Sequence, residues 1–512
     1  MMRVAGVLPR GAKSLIVAAG LVVGLLGPSS IASPLTSSAA ARAQAAPLAA
    51  PTTALVTGVT VQNLSASSPA TVEIHFYSLD SGAEVPGTAI SGVTLPPLGQ
   101  QTWYVPTKTS LPSGFIGSAV VSSDQPVAAI INTEAPTSTG TSPSDPFRVG
   151  TTAGVDLTQI GSTLYVPQIM RNYAGWNSTI YVQNAGANTT TVTVTYRDRN
   201  GNPIPAAQES ATIAPNSSHV FSQQSNANLG TVLGSAVISG GAGAQLAAIV
   251  NIYNADTDNT NAQLLSYTAS AHGGTKLYAP RVVNNYYGFN SGLTIQNLDP
   301  SQTATVTITF NFPTGSSVLP LTIAPQAAAA LYLPDVRING APLPSGNANG
   351  KGSAVITSTT NIIAIVNEDN RVSPGFIGQG MSYNAFVDGF QTPKAFLPQV
   401  TARYYGYASG ITIQNAGSAP GSGTITLTAP NGQSQSFPTG TIDAGHQQIY
   451  FVPNLWSGND FNGSATITFS QPIFVIANMS FRGDVDPRYA QPGMPAQYGD
   501  SLSAYNAINQ SP

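Results

Sequence analysis

Three sets of residues in this chain have types that could do chemistry. The first is aromatic. Tyr173 and Trp176, then Tyr286, Tyr287 and Phe289, then Tyr404, Tyr405 and Tyr407 each form a corner built around a glycine. Rings held at a surface can stack on sugar rings, so each corner is a candidate glycan contact. Rings turned inward would instead act as a wedge that fixes the angle between two domains. Each corner falls at a repeat boundary, and the first repeat, with nothing before it, lacks one. The wedge, packed on the preceding domain, is therefore the preferred reading.

The second set is acidic. Asp256 and Asp258, Glu368 and Asp369, and Asp484 and Asp486 recur in equivalent loops, with Glu134 in the first. Grouped oxygens suit Ca²⁺, which takes six to eight of them. Their spacing matches no known calcium loop, so they read as solvated loop acids and no cofactor is expected. The third set is the four histidines, His75, His219, His272 and His446. No two are spaced as metal ligands on one element. There are no cysteines, which excludes thiolate metal sites and thiol nucleophiles. No Gly-x-Ser-x-Gly elbow with triad partners, phosphate loop or dinucleotide fingerprint is present; Gly288-Phe-Asn-Ser-Gly292 has the wrong spacing. An enzyme is not expected.

The elements that must position these residues are repeats. Val59-Thr-Val-Gln-Asn63 returns as Ile180-Tyr-Val-Gln-Asn184, Leu293-Thr-Ile-Gln-Asn297 and Ile411-Thr-Ile-Gln-Asn415, at intervals of 121, 113 and 118 residues between the asparagines. Such a period means tandem units. Each Asn should close a strand by bonding turn backbone. A second marker also occurs four times: Gly117-Ser-Ala-Val, Gly234-Ser-Ala-Val, Gly352-Ser-Ala-Val and Gly463-Ser-Ala-Thr. Its small residues suit a strand passing close under the opposite sheet. Between the markers lie turns at matching places, Leu79-Asp-Ser-Gly, Arg197-Asp-Arg-Asn-Gly201, Pro313-Thr-Gly-Ser and Pro430-Asn-Gly-Gln. Repeats two to four open with an aromatic-x-Pro strand at Tyr165, Tyr278 and Phe396. The first repeat lacks one, so either residues 44–54 substitute for it or a sheet edge stands open.

No segment has a helical period, and β-branched residues alternate over short runs bounded by turns. Seven or eight strands per roughly 110 residues is the pattern of an Ig-like sandwich. The expected fold is all-β, with four tandem Ig-like β-sandwich domains in a rod. Residues 1–43 read as a signal peptide and 44–54 as an extended Ala/Pro-rich segment. The repeats then occupy 55–158, 159–272, 273–392 and 393–512. The leader has a basic start (Arg3, Arg10, Lys13), an apolar run from Leu15 to Leu26, and a small-residue cut after Ala43 or Ala45.

Charged residues are only 8% of the chain, against about 25% in ordinary soluble proteins. Removing Arg3, Arg10, Lys13 and Arg42 from 18 basic residues leaves 14 against 21 acidic ones, a net −7 with no basic patch. Nucleic acid is not an expected partner, and no transmembrane span is expected in the mature chain. In architecture and composition residues 55 to 508 resemble the tandem Ig-like and fibronectin-type repeats of bacterial surface-layer, filament and matrix proteins. That resemblance implies a secreted, cell-surface structural protein that self-assembles or binds other surface components. A carbohydrate-binding adhesin using the aromatic corners is the alternative, and an exported hydrolase comes third.

Overall fold

The computed structural model describes residues 14–23, 56–79, 81–112, 114–135, 148–156, 159–254, 263–370, 378–458, 460–481 and 502–509. The chain is all-β, with several antiparallel sheets and, among the described residues, helices of no more than four residues. Among the described residues no helix is long and apolar enough to cross a membrane.

The second repeat shows the plan. One sheet runs in the order Thr163–Arg171, Val232–Ser239, Thr190–Asp198, Glu209–Ile213; the other runs Ser218–Ser222, Trp176–Asn184, Leu246–Asn254, Leu264–Thr268. Val192, Val194 and Tyr196 of the first sheet share a core with Ile180, Val182 and Val250 of the second. Thr190–Asp198 alternates between buried and accessible positions, as a strand with one face on a core must. Trp176–Asn184 is buried at every position although its sequence also alternates. Its polar face lies against a neighbouring repeat rather than water.

In the third and fourth repeats one strand does the work of two. Lys351–Asn370 and Phe461–Phe481 pair with one sheet through their first halves and the other through their second halves. Asp124-Gln-Pro126 and Gly240-Gly-Ala-Gly243 interrupt that path in the first two repeats. The Gly-Ser-Ala marker works differently from the sequence expectation. A Cβ on Gly117, Gly234, Gly352 or Gly463 would lie 2.0–2.6 Å from a carbonyl oxygen of the neighbouring strand in the same sheet, not under the opposite one.

The repeats close into a ring rather than extending as a rod. Ser118 Oγ of the first repeat donates to Asn216 O of the second at 2.8 Å, and Ser217 Oγ answers by donating to Leu79 O. The turn at Gly201 lies against Pro325 and Ala327 of the third repeat. Asn311 Nδ2 and Ser353 Oγ of the third donate to Gly445 O of the fourth at 3.0 and 2.7 Å. Ser464 Oγ of the fourth then donates to Leu98 O of the first at 2.6 Å, with Gly432 beside Pro96. The three accepting positions, Leu98, Asn216 and Gly445, and the equivalent Gln326 all have positive φ. The serine bond thus recurs at three junctions, one of them between the last and first repeats, while the equivalent Ser235 hydroxyl at the second-to-third junction is buried without a partner.

Around the axis stand Arg148–Ala153, Leu264–Thr268, Gly380–Asn384 and Leu502–Asn506, each next to the following one and the last next to the first. Asn384 bonds both Thr268 backbone groups (3.1 and 2.7 Å), and Asn506 does the same to Asn384 (3.1 and 2.6 Å). A cavity of about 260 Å³ lies between these strands.

The first repeat departs from expectation. The place of the missing aromatic-x-Pro strand is taken by Ser14–Val23, within the apolar run read as a leader. Residues 44–54 and the cut sites at Ala43 and Ala45 lie outside the described residues.

Candidate functional site

The aromatic corners are hairpin tips. Ala174-Gly175, Tyr287-Gly288 and Tyr405-Gly406 all have positive φ, the backbone of a type I′ turn. Each tip is closed by a bridge: Tyr173–Trp176, Tyr286–Phe289 and Tyr404–Tyr407. A tyrosine in left-handed backbone costs about 1 kcal/mol. It is placed there twice, and the ring is turned out: Tyr287 is 50% exposed and Tyr405 62%. Each meets its neighbour edge-to-face, Tyr286–Tyr287 at 4.8 Å and Tyr404–Tyr405 at 4.7 Å between centroids.

The closing residues point the other way. Trp176 belongs to the core of its own repeat. Phe289 packs with Met381 and with Leu502 and Ala504 of the following repeat, not the preceding one. Tyr173 and Tyr407 are half-buried. The wedge role falls instead on the aromatic of the aromatic-x-Pro strand. Tyr278 lies 5.3 Å from Phe474 and its hydroxyl donates to Ala416 O at 3.3 Å. Phe396 packs on Leu64 and Ala128 of the first repeat.

Pro167-Gln168, Pro280-Arg281 and Pro398-Gln399 fill a bulge in that strand. A proline fits there because a bulge frees it from donating to the ladder. The bulge residue serves the junction. Gln168 Oε1 accepts from Asn367 (2.7 Å) and Thr294 (3.4 Å) of the third repeat; Gln399 Oε1 accepts from Asn132 (2.9 Å) and Thr60 (3.3 Å) of the first. A buried tyrosine pins each bulge. Tyr267 donates to Gln168 O and Tyr505 to Gln399 O, both at 2.5 Å, and Tyr383 donates to Arg281 O. Sequence reasoning missed these tyrosines. The signal was there as a third recurring motif, Ser266-Tyr-Thr, Ser382-Tyr-Asn and Ala504-Tyr-Asn.

Arg281 breaks the pattern. Its Nε donates to both carboxylate oxygens of Glu368 at 3.0 Å, inside its own repeat, and Glu368 is fully buried. Burial pushes the Glu368 carboxyl up to about 7 against the pull of Arg281. Glu368 is thus an ion-pair partner and not a solvated loop acid; its neighbour Asp369 belongs to the same strand, facing Asn290. Asp256, Asp258, Asp484 and Asp486 lie outside the described residues. Among the described residues no group of three or more His, Asp or Glu is placed to hold a metal. His75 is engaged at the surface with Glu84 at 2.6 Å and Glu73 at 3.6 Å.

The closing junction carries a cleft of about 420 Å³ between the fourth and first repeats. Tyr404 of the third corner and Tyr104, 40% exposed, line it together with Gln100, Thr102, Gln399 and Asn462. The amides hold one another: Gln399 Nε2 donates to Asn462 Oδ1 at 3.1 Å and Gln100 Nε2 to Asn462 O at 3.3 Å. Among the described residues no charged side chain lines the cleft, although the Glu134 carboxyl is near enough to help push the Tyr104 hydroxyl up, after burial. Phenol faces beside fixed amides suit a neutral ligand rich in hydroxyls. They supply neither a nucleophile nor an acid–base pair.

No family model and no curated protein matches the chain. Among solved structures it is similar to Thermotoga maritima 1070 at 19% identity, over 23% of this chain and 96% of that one, with a TM-score of 0.19. It is similar to the Anabaena sensory rhodopsin transducer at 21% identity, over 18% and 93%, TM-score 0.15. It is also similar to the pilus adhesin SpaC from Lactobacillus rhamnosus GG at 12% identity, over 88% and 55%, TM-score 0.10.

Proposed function

We propose that this chain is an exported, non-catalytic protein of the cell surface, built of four Ig-like β-sandwich repeats, that binds neutral carbohydrate. The observation that carries this reading is the junction cleft, lined by Tyr404, Tyr104 and a set of fixed amides, with no charged side chain in the lining itself. Tyr405 adds an outward ring beside it, held in strained backbone. Strain of that kind persists where the surrounding structure holds it, and it clusters at ligand sites. A filament made by continuing the repeat-to-repeat junction into the next molecule is less well supported. The fourth repeat already meets the first through Ser464 and Gln399, so neither end of the series is left over. The surface-component reading therefore keeps its place as the setting of the binding activity, and self-assembly would need a different face.

The test is a glycan array probed with the full chain, followed by titration of any hit against Tyr404→Ala and Tyr405→Ala. Each substitution should weaken binding about tenfold, equivalent to roughly 1.4 kcal/mol, with melting temperature little changed. Trp176→Ala is the wrong probe, because Trp176 is a core residue and its loss would unfold the repeat. An array without hits, or hits indifferent to both tyrosines, would sink the reading.

A further inference from the structure

The first repeat is completed by a strand that is fastened differently from its three counterparts. Ser14–Val23 pairs with Phe115–Ser123 at eight positions and with Val155–Asp156 at two. Its register is that of the aromatic-x-Pro strands: Ala18 stands opposite Ala119 and Leu21 opposite Gly117, as Val166 and Ile169 stand opposite Ala236 and Gly234. The bulge falls at the same place. The slot is therefore the same slot, filled by an uncharged segment, Ser-Leu-Ile-Val-Ala-Ala-Gly-Leu-Val-Val.

Three fasteners are absent, the first and third of which hold all three counterparts and the second two of them, since Arg281 turns into its own repeat. The first is the bulge-pinning tyrosine, since Thr152 occupies the position of Tyr267, Tyr383 and Tyr505. The second is the junction amide. Gly20 takes the bulge position of Gln168 and Gln399, and Asn251 of the second repeat bonds Tyr181 of its own repeat. The equivalents Asn132 and Asn367 depend on Gln399 and Gln168 from the preceding repeat. Asn251 thus finds a partner inside its own repeat where Asn132 Nδ2 and Asn367 Nδ2 do not. The third is the tight tip. Four or five residues join each counterpart strand to its Gln-Asn strand, whereas 32 residues separate Val23 from Val56.

We propose that the first repeat is a strand-accepting site, in which residues 14–23 are an exchangeable occupant and an extended, uncharged, apolar peptide of about nine residues is the ligand class. Recognition is by backbone pairing to the exposed edge of Phe115–Ser123, with side chains chosen by the core beneath. An edge left open there presents a row of unpaired donors and acceptors, which a second strand satisfies. Removal of the segment by processing would leave this site vacant and the rest of the ring in place.

The experiment uses the full chain with a specific protease site placed between residues 24 and 55. After cleavage, a fluorescent peptide of residues 14–23, with lysines added outside for solubility, is titrated and followed by anisotropy. Cut protein should bind one peptide per chain. Uncut protein should bind it at least about a hundredfold more weakly, because the tethered strand competes at an effective concentration in the millimolar range. A peptide carrying Ile16→Pro and Val22→Pro should not bind. Hydrogen exchange over residues 115–123 should be slow in uncut protein, fast after the cut segment is removed, and slow again with peptide. Failure of cut protein to bind, equal binding of the proline peptide, or a cut chain that unfolds and is not restored by peptide would overturn the proposal.

Discussion

The asparagine of each Gln-Asn pair does more than end a strand. Asn297 Nδ2 donates to Gln302 O (2.8 Å), Ile323 O and Ala324 O (both 3.1 Å), while its Oδ1 accepts from Asp299 N–H (3.1 Å) and Thr360 Oγ1 (2.8 Å). Asn63, Asn184 and Asn415 repeat most of this, and all four are fully buried. Asn297→Ala would strand several buried groups, so a loss of about 3 kcal/mol is expected in denaturant titration. Asn297→Asp should not rescue it, because three of the bonds need a donor. This role was legible in the sequence, since short-range Asn–backbone bonds follow from residue type and position. Glu368 was not legible, because its partner Arg281 is 87 residues away. Its carboxyl is raised from an ordinary 4.5 to about 7 in the folded chain. A raised carboxyl favours the folded state while both states are protonated, below about 4.5, and that advantage is lost as pH rises through 7. Melting curves should therefore show stability falling between those pH values by up to about 3 kcal/mol. In Glu368→Gln that fall should be much smaller. An equal fall in both would place the titration elsewhere.

At the scale of elements, alternation of residue types marks most strands inside the repeats, but not Ser14–Val23, which reads as a leader, nor the continuity of Lys351–Asn370 and Phe461–Phe481. What alternation could not give was what covers the second face. Thr60 and Gln62, Thr294 and Gln296, and Thr412 and Gln414 form the polar side of an alternating pattern, yet all six are buried. A neighbour's amide answers part of that face: Thr60 bonds Gln399 and Thr294 bonds Gln168, whereas the side-chain amide of Gln296 and the hydroxyl of Thr412 are buried without a partner. The corners mislead in the opposite sense. Aromatic residues beside a glycine suggest packing, but a type I′ tip turns its first residue outward whatever its type. The strain supplies a direct test. Tyr287→Gly and Tyr405→Gly relieve positive φ and should leave stability unchanged or raise it by up to about 1 kcal/mol. The same substitutions remove the exposed ring. A destabilisation above about 1 kcal/mol in thermal unfolding would mean that the rings pack, and would restore the wedge.

The ring is the property of the whole molecule that no local pattern announces. A repeat period states that one junction geometry recurs, but whether four such steps return to the start depends on the angle of each. That angle is set by contacts such as Gly201 on Ala327 and Gln168 on Asn367, which lie far apart in sequence. Closure has an energetic consequence. The fourth junction forms within a body already assembled by three others, so it needs little intrinsic affinity to stay shut. It also yields a discriminating experiment. Gln168→Ala removes the acceptor for Asn367 and Thr294 at an internal junction, and Gln399→Ala removes the acceptor for Asn132 and Thr60 at the closing one. In a rod Gln399 would face solvent and its loss would be silent. In a ring both should cost a similar amount, about 1–3 kcal/mol. Hydrogen exchange over residues 127–135 should then quicken in Gln399→Ala, with solution scattering of the wild-type chain giving the dimensions of a closed ring. Scattering from an elongated particle, together with a silent Gln399→Ala, would open the ring and dissolve the cleft that Tyr104 and Tyr404 share.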